Sequence, residues 1–189
     1  MMSSNPQSAI PNPKSASILV AGIGNIFMGD DAFGCEVARR LAGRQLPEGV
    51  RVVDFGIRGF DLAYAIMDGP DVTVFVDATP RGGEPGTLYT IEPDLSELNE
   101  AGEGGIIVET HGMNPLKVLG MVKAMGGEFG RILLVGCEPQ TLGGEEGWMG
   151  LSEPVAAAVD GAVGVVESLV ARLLGESRSA GRDVLKLFS

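Results

Sequence analysis

Basic residues are scarce in this chain. Its 189 residues include 14 Lys and Arg against 25 Asp and Glu, which gives a formal net charge of −11. Nucleic acids are bound through basic surfaces that neutralise phosphate groups, so no nucleic-acid partner is expected. No uninterrupted apolar run approaches the roughly 18–20 residues of a membrane span, so no membrane is expected as a partner either.

Cysteine and histidine are also rare. The two cysteines, Cys35 and Cys137, form no metal-binding or redox motif, which favours buried apolar roles in a reducing cytoplasm over a disulfide scaffold. His111 is the only histidine, so any imidazole chemistry must run through it. Residues 1–16 lack the apolar middle of a secretory signal, and we interpret them as a disordered leader. We expect a cytoplasmic monomer.

Strand and helix patterns alternate along the rest of the chain. Short β-branched runs predict strands, and apolar residues spaced by three and four positions predict helices. The strands are predicted at 18–21, 50–55, 72–77, 87–91 and 131–136, and the helices from the first turn to about residue 44, at 60–67, 115–125 and 153–174. A short turn joins 87–91 to the strand at 72–77, which favours an antiparallel edge strand paired with it. Ser152 is expected to cap the last helix, and 94–105 is predicted to be a mobile surface segment.

Alternating elements with short connections predict an α/β fold. We expect a three-layer α/β/α sandwich, phosphorylase/hydrolase-like, around a mostly parallel (mixed) sheet of about five strands. Residues 17–175 are predicted to form a single α/β domain, and 176–189 a C-terminal tail.

Three polar residues stand where strands give way to loops or helices. Asp31 follows the first strand, Asp77 ends the third, and His111 precedes a helix. The carboxyl ends of parallel strands converge on one edge of a sheet, and an imidazole with two carboxylates suits a divalent metal such as nickel, zinc or iron. Each residue alone has a plainer explanation: Asp30 and Asp31 can stabilise a helix N-terminus, Asp77 can form a turn, and His111 can be solvated. Arg58, in the loop after the second strand, could bind a carboxylate at the same edge, although pairing with a surface acid is favoured. Glu138 is expected to be solvated.

The first glycine-rich turn also admits a dinucleotide-binding interpretation. Gly22 and Gly24 follow a strand, and Asp54 stands where a ribose-binding acid would be expected. Phe27 occupies the third glycine position, however, and the two aspartates would meet a pyrophosphate with negative charge. The chain has no phosphate-binding P-loop and no Gly-x-Ser-x-Gly nucleophile elbow.

Taken together, these stretches resemble the hydrogenase maturation proteases, endopeptidases that complete the large subunit of nickel–iron hydrogenases. The matching stretches, in chain order, are Gly22-Ile23-Gly24-Asn25, Gly29-Asp30-Asp31-Ala32-Phe33-Gly34, Val76-Asp77-Ala78, His111 with Pro115-Leu116, and Gly136-Cys137-Glu138-Pro139.

The resemblance carries expectations about activity. It implies an endopeptidase that removes a C-terminal extension from the large-subunit precursor after nickel insertion. It implies that Asp31, Asp77 and His111 gather around the nickel carried by the substrate, which the free enzyme binds weakly or transiently. A nickel-recognising chaperone that does not cleave, or a dinucleotide-dependent oxidoreductase, remains the alternative.

Overall fold

The structure is a computed structural model that describes residues 16–95, 114–143 and 149–186. The described residues form one five-stranded sheet of order β2-β1-β3-β5-β4. The strands are β1 (Ile18–Ile23), β2 (Val50–Gly56), β3 (Val72–Ala78), β4 (Leu88–Ile91) and β5 (Arg131–Cys137). Four of them run parallel, and β4 alone is antiparallel.

Helices cover both faces of this sheet, which confirms the predicted sandwich. They are α1 (Phe33–Ala42), α2 (Gly59–Met67), α3 (Pro115–Ala124) and α4 (Glu153–Lys186). Alternate β1 residues serve opposite cores: Ile18 and Val20 pack with α1 and α4, whereas Leu19 packs with α2 and α3. This alternation is the two-residue side-chain period of a strand buried on both faces.

The edge strand β4 pairs with β5, although the sequence places it beside β3. Its antiparallel direction and edge position are as predicted, and its register runs from Leu88 opposite Cys137 to Ile91 opposite Leu134. The strand β4 does not lie beside β3 because β5 pairs with that edge of β3 along seven residues. The connection after β3 therefore has to pass the end of β5 before β4 can begin.

The last helix is longer than predicted. It continues to Lys186, through most of the segment interpreted as a tail, rather than ending near residue 174. At the other end, Ala16 is buried in the core although the sequence assigns it to the leader. Residues 1–15, and the part of the predicted mobile segment from 96 onward, lie outside the described residues.

Part of α4 is long and apolar enough to cross a membrane by length and composition alone. This part, Glu153–Ser177, has a mean hydropathy of 1.5 over its most apolar window. A helix in a protein core passes the same test, and the inward face of α4, which includes Val155, Val159, Val163 and Val166, is buried against the sheet. The apolarity of α4 is therefore weak support for a membrane span.

Candidate active site

The turn after β1 folds back onto Asp31. A 3-10 helix, Gly29–Ala32, separates the turn from α1, so the predicted direct passage from turn to helix has one extra short element. The backbone amide of Asn25 donates to Asp31 Oδ2 at 2.7 Å. Gly24 has a φ of +131°, and a Cβ there would overlap the carbonyl oxygen of Asp31. The turn thus needs glycine at this position to hold the carboxylate.

A second glycine brings the start of α1 against the end of β3. A Cβ on Gly34 would overlap the carbonyl oxygens of Val76 and Ile23. Because Gly34 has no side chain, α1 approaches β1 and β3 closely. Asp31, on the 3-10 helix before α1, therefore comes near Asp77. Both carboxylates line one cavity of about 470 Å³. The structure therefore brings together two of the three predicted site residues.

Burial raises the pKa of both carboxyl groups, and the charge of Asp31 adds to the shift of Asp77. Asp77 is 8% exposed, and its burial, followed by the negative charge of Asp31, raises its pKa well above the usual range. Burial also raises the pKa of Asp31, although the Asn25 amide opposes the shift. A carboxyl group with a raised pKa can exchange a proton near neutral pH, which an ordinary surface aspartate does poorly. The pair is suited to acid–base chemistry.

Neither cysteine is prepared to act as a nucleophile. Burial, then the neighbouring Asp54 carboxylate, raises the pKa of Cys35 to about 12. Burial, then the charge of Asp30, raises the pKa of Cys137 to about 11. The thiolate is the reactive form of cysteine, and these shifts suppress it. Both side chains are buried and free, as the sequence predicts.

Asp30, the neighbour of Asp31, faces a different part of the molecule. Its carboxylate is fully buried and accepts hydrogen bonds from the backbone amides of Gln140, Thr141 and Ser152 at 2.6–3.0 Å. The Ser152 hydroxyl also donates to Asp30, at 2.9 Å. The predicted helix-capping residue Ser152 is therefore joined to Asp30, which ties the loop after β5 to the start of α4.

Glu138 is buried beside Arg81, a residue that lines the cavity, and the expectation from sequence that Glu138 is solvated is wrong. It is 4% exposed and accepts from the Arg81 amide at 2.8 and 3.0 Å, the Gly82 amide at 3.0 Å and the Tyr89 hydroxyl at 2.8 Å. Burial raises the pKa of Glu138, but Tyr89 and the amides of Arg81, Gly83 and Gly82 together hold it below its usual range. Glu138 directly follows β5, so it lies at the same carboxyl edge of the sheet as Asp31 and Asp77. The argument from parallel strands that pointed to those two residues therefore could have identified Glu138 as well.

The structure does not place Arg58 or His111 beside the two carboxylates. Arg58 donates to the backbone carbonyls of Phe55 and Asp54 and lies 3.8 Å from Asp61, so it belongs to its own loop. His111 lies outside the described residues. Among the residues that the structure does describe, no group of three or more His, Cys, Asp or Glu side chains is arranged to hold a metal ion. Two of the three proposed ligands, Asp31 and Asp77, therefore lie within the described residues.

The fold and this acidic pair define an α/β protein equipped for acid–base chemistry at the carboxyl edge of its sheet. A family model described as hydrogenase maturation protease (HycI) matches residues 35–169, which include Asp77 and His111. A putative hydrogenase maturation protease of Methanocaldococcus jannaschii is 32% identical over 155 residues, covering 81% of this chain and 96% of the relative.

Solved structures similar to this chain belong to the same class of protein as the relative found by sequence. The hydrogenase 2 maturation peptidase of a Thaumarchaeota archaeon superposes with a TM-score of 0.61 at 30% identity, covering 82% of this chain and 98% of the other. The hydrogenase maturating endopeptidase HybD of Escherichia coli gives a TM-score of 0.64 at 26% identity, covering 82% and 93%. The chain belongs to the hydrogenase maturation protease family. It is an endopeptidase, and the dinucleotide-dependent oxidoreductase alternative has no support.

Proposed function

We propose that this endopeptidase removes the C-terminal extension from the large-subunit precursor of a nickel–iron hydrogenase after nickel has been inserted. Family membership supports the class of reaction. The observation that supports the site is the Asp31–Asp77 pair, because a buried and a half-buried carboxyl group, both with raised pKa values, line a cavity of about 470 Å³. The nickel is part of the substrate rather than a resident cofactor.

Asp31, Asp77 and His111 are the proposed ligands that read this nickel. Carboxylates must release their protons before they bind a metal ion. Since the pKa values of Asp31 and Asp77 are raised, a metal ion entering the free enzyme competes with protons. This competition supports weak or transient nickel binding by the free enzyme. Nickel presented by a docked precursor has the further advantage of proximity.

For the chemical step, Asp77 is the proposed general base. It takes a proton from a water whose oxygen forms a bond to the scissile carbonyl carbon, the carbon–nitrogen bond then breaks, and the proton passes to the departing amine. Asp31, coupled to Asp77 by charge, stabilises the protonated form of that base. The substrate's nickel fixes the scissile bond in place and can polarise its carbonyl.

We further propose that the enzyme acts as a cytoplasmic monomer without a membrane partner. The two buried, free cysteines support a reducing compartment. Both faces of the described sheet are covered by the protein's own helices, so the described core does not need a second subunit to be buried.

The test is the intact mass of a cognate large-subunit precursor, nickel-loaded and nickel-free, after incubation with the protein. We expect the nickel-loaded form alone to lose a C-terminal peptide. Cleavage of both forms would retain the protease and remove nickel as the trigger, whereas binding of the loaded form without cleavage would identify a chaperone.

In the same assay, His111→Ala is expected to reduce nickel-dependent processing while the circular-dichroism spectrum stays unchanged. Normal processing would remove His111 from the proposed site.

A further inference from the structure

Arg81 brings a positive charge to a cavity whose other charged lining groups are acidic. It lies in the connection between β3 and β4, four positions after Asp77, and lines the same cavity. Among the described residues that line this cavity, Arg81 is the only cation, beside Asp31 and Asp77. An arginine in this position is therefore available to any anionic group that enters with the substrate.

The backbone of Arg81 is fixed by the buried carboxylate of Glu138. Both carboxylate oxygens of Glu138 accept from the Arg81 amide, and one of them also accepts from Gly82. The connection is tied further by the Gly86 amide, which donates to the Glu138 carbonyl at 2.8 Å. Backbone hydrogen bonds to a buried carboxylate hold this segment more rigidly than solvated bonds would.

By contrast, the guanidinium of Arg81 donates no hydrogen bond to a group in the described part of the chain. Glu138 is engaged by amides and by the Tyr89 hydroxyl, and no ion pair joins Arg81 to a carboxylate among the described residues. The Cζ atom of Arg81 lies 5.5 Å from the centroid of the Tyr89 ring. An aromatic ring orients a guanidinium by cation–π attraction while its N–H groups remain able to bind a carboxylate through two hydrogen bonds.

We infer that Arg81 is a substrate-positioning residue that binds a carboxylate of the precursor's C-terminal segment. This inference rests on the proposed function, because it concerns the polypeptide that occupies the same cavity. A carboxylate near Asp31 and Asp77 would be repelled, and Arg81 supplies a site where it is attracted. The carboxylate has two possible sources: the α-carboxylate that ends the extension, or an acidic side chain near the scissile bond.

The experiment compares Arg81→Gln and Arg81→Lys with a matched control, Arg44→Gln. Arg44 pairs with Glu167 at 3.0 Å and is absent from the cavity lining. Its replacement removes the same single positive charge but leaves the cavity unchanged. Cleavage of the full-length nickel-loaded precursor is measured as KM and kcat. A hydrogen-bonded charge of this kind predicts about a tenfold rise in KM for Arg81→Gln with kcat nearly unchanged. Arg81→Lys should recover part of the loss, and salt should raise KM more in the wild type than in Arg81→Gln.

Substrate variants then distinguish the two sources of the carboxylate. One precursor is amidated at its C-terminus, and others carry single Asp→Asn or Glu→Gln changes near the cleaved bond. The correct change should raise KM for the wild-type enzyme and have little further effect on Arg81→Gln, as expected for partners in a double-mutant cycle. If no substrate change shows this coupling, or if Arg81→Gln behaves like Arg44→Gln, the inference is overturned.

A binding measurement separates this inference from the proposed function. Fluorescence anisotropy of the labelled, nickel-loaded precursor gives its Kd for the wild-type protein and for Arg81→Gln without requiring cleavage. If the wild type binds with Arg81-dependent affinity but does not cut, the proposed function fails and the inference stands. If the wild type cuts but binding is insensitive to Arg81→Gln, the inference fails and the proposed function stands. Unchanged thermal unfolding of Arg81→Gln excludes a merely structural effect.

Discussion

Asp30 and Asp31 are neighbours in sequence, yet their carboxylates belong to different regions of the molecule. Asp30 is fully buried and accepts from three backbone amides and one hydroxyl. Asp31 is partly exposed, accepts from the Asn25 amide, and lines the same cavity as Asp77. The region around Asp30 connects loops, whereas the region around Asp31 is open to a ligand.

The difference shows that hydrogen-bond partners, rather than residue type, decide what a buried carboxylate does. A carboxylate surrounded by donors has its charge satisfied by the fold and is poorly available for another partner. The Asp31–Asp77 pair has fewer donors, and burial raises both pKa values. Such a pair retains the capacity to exchange protons or bind a cation, which is the property expected of a reactive site.

The largest expected effect is the loss of activity when the reactive pair is neutralised. Asp31→Asn or Asp77→Asn should each reduce kcat for precursor cleavage by about 10²–10⁴-fold, because general acid–base groups contribute on that scale. Their circular-dichroism spectra should match the wild type, since asparagine has nearly the same shape as aspartate. Activity within a factor of two of the wild type for either variant would remove that carboxyl group from the chemistry.

Replacing Asp30 should have the opposite balance of effects. Asp30→Ala leaves the amides of Gln140, Thr141 and Ser152 without their acceptor, and the free energy of unfolding should fall by about 3 kcal/mol. Below its unfolding temperature, its kcat should fall far less than that of Asp31→Asn. Urea denaturation measures the stability, and Asp68→Ala, at a side chain 73% exposed, is the control expected to stay near the wild-type value. Equal stability of Asp30→Ala and this control would contradict the anchoring role.

The sequence predicts this fold well because its information is local. Five apolar runs mark the strands, and the glycines at positions 24 and 34 stand where a tight turn and a close helix approach require them. The convergence rule for parallel strands also predicts that Asp31 and Asp77 lie near each other, and both line one cavity. The pairing of β4 with β5 is missed because it depends on which strand fills the place beside β3, a long-range choice that a short turn does not report.

The sequence does not reveal which polar groups become buried anchors. Glu138 is interpreted as solvated because nothing near it in sequence shows that Arg81, Gly82 and Tyr89 surround it from the β3–β4 connection and β4. Similarly, Asp30 and Asp31 share the same local pattern, and only contacts made more than 100 positions away identify Asp30 as structural. Long-range donors therefore distinguish the two classes of carboxylate.

The smallest expected effect is a pH-dependent gain in stability for Asp77→Asn. Burial and the charge of Asp31 raise the pKa of Asp77 in the folded state, whereas the unfolded chain keeps an ordinary value. Between those two values the folded state holds a proton that the unfolded state releases, so the wild-type protein loses stability as pH rises through this window.

Asparagine cannot ionise, so the variant Asp77→Asn escapes this loss. We expect Asp77→Asn to unfold at a free energy higher by on the order of 1 kcal/mol at pH 7 and to match the wild type below the unfolded pKa. Urea denaturation across this range measures the difference. A constant difference at every pH would show that Asp77 does not titrate on unfolding, and the contrast with the satisfied carboxylate of Asp30 would then rest on hydrogen bonding alone.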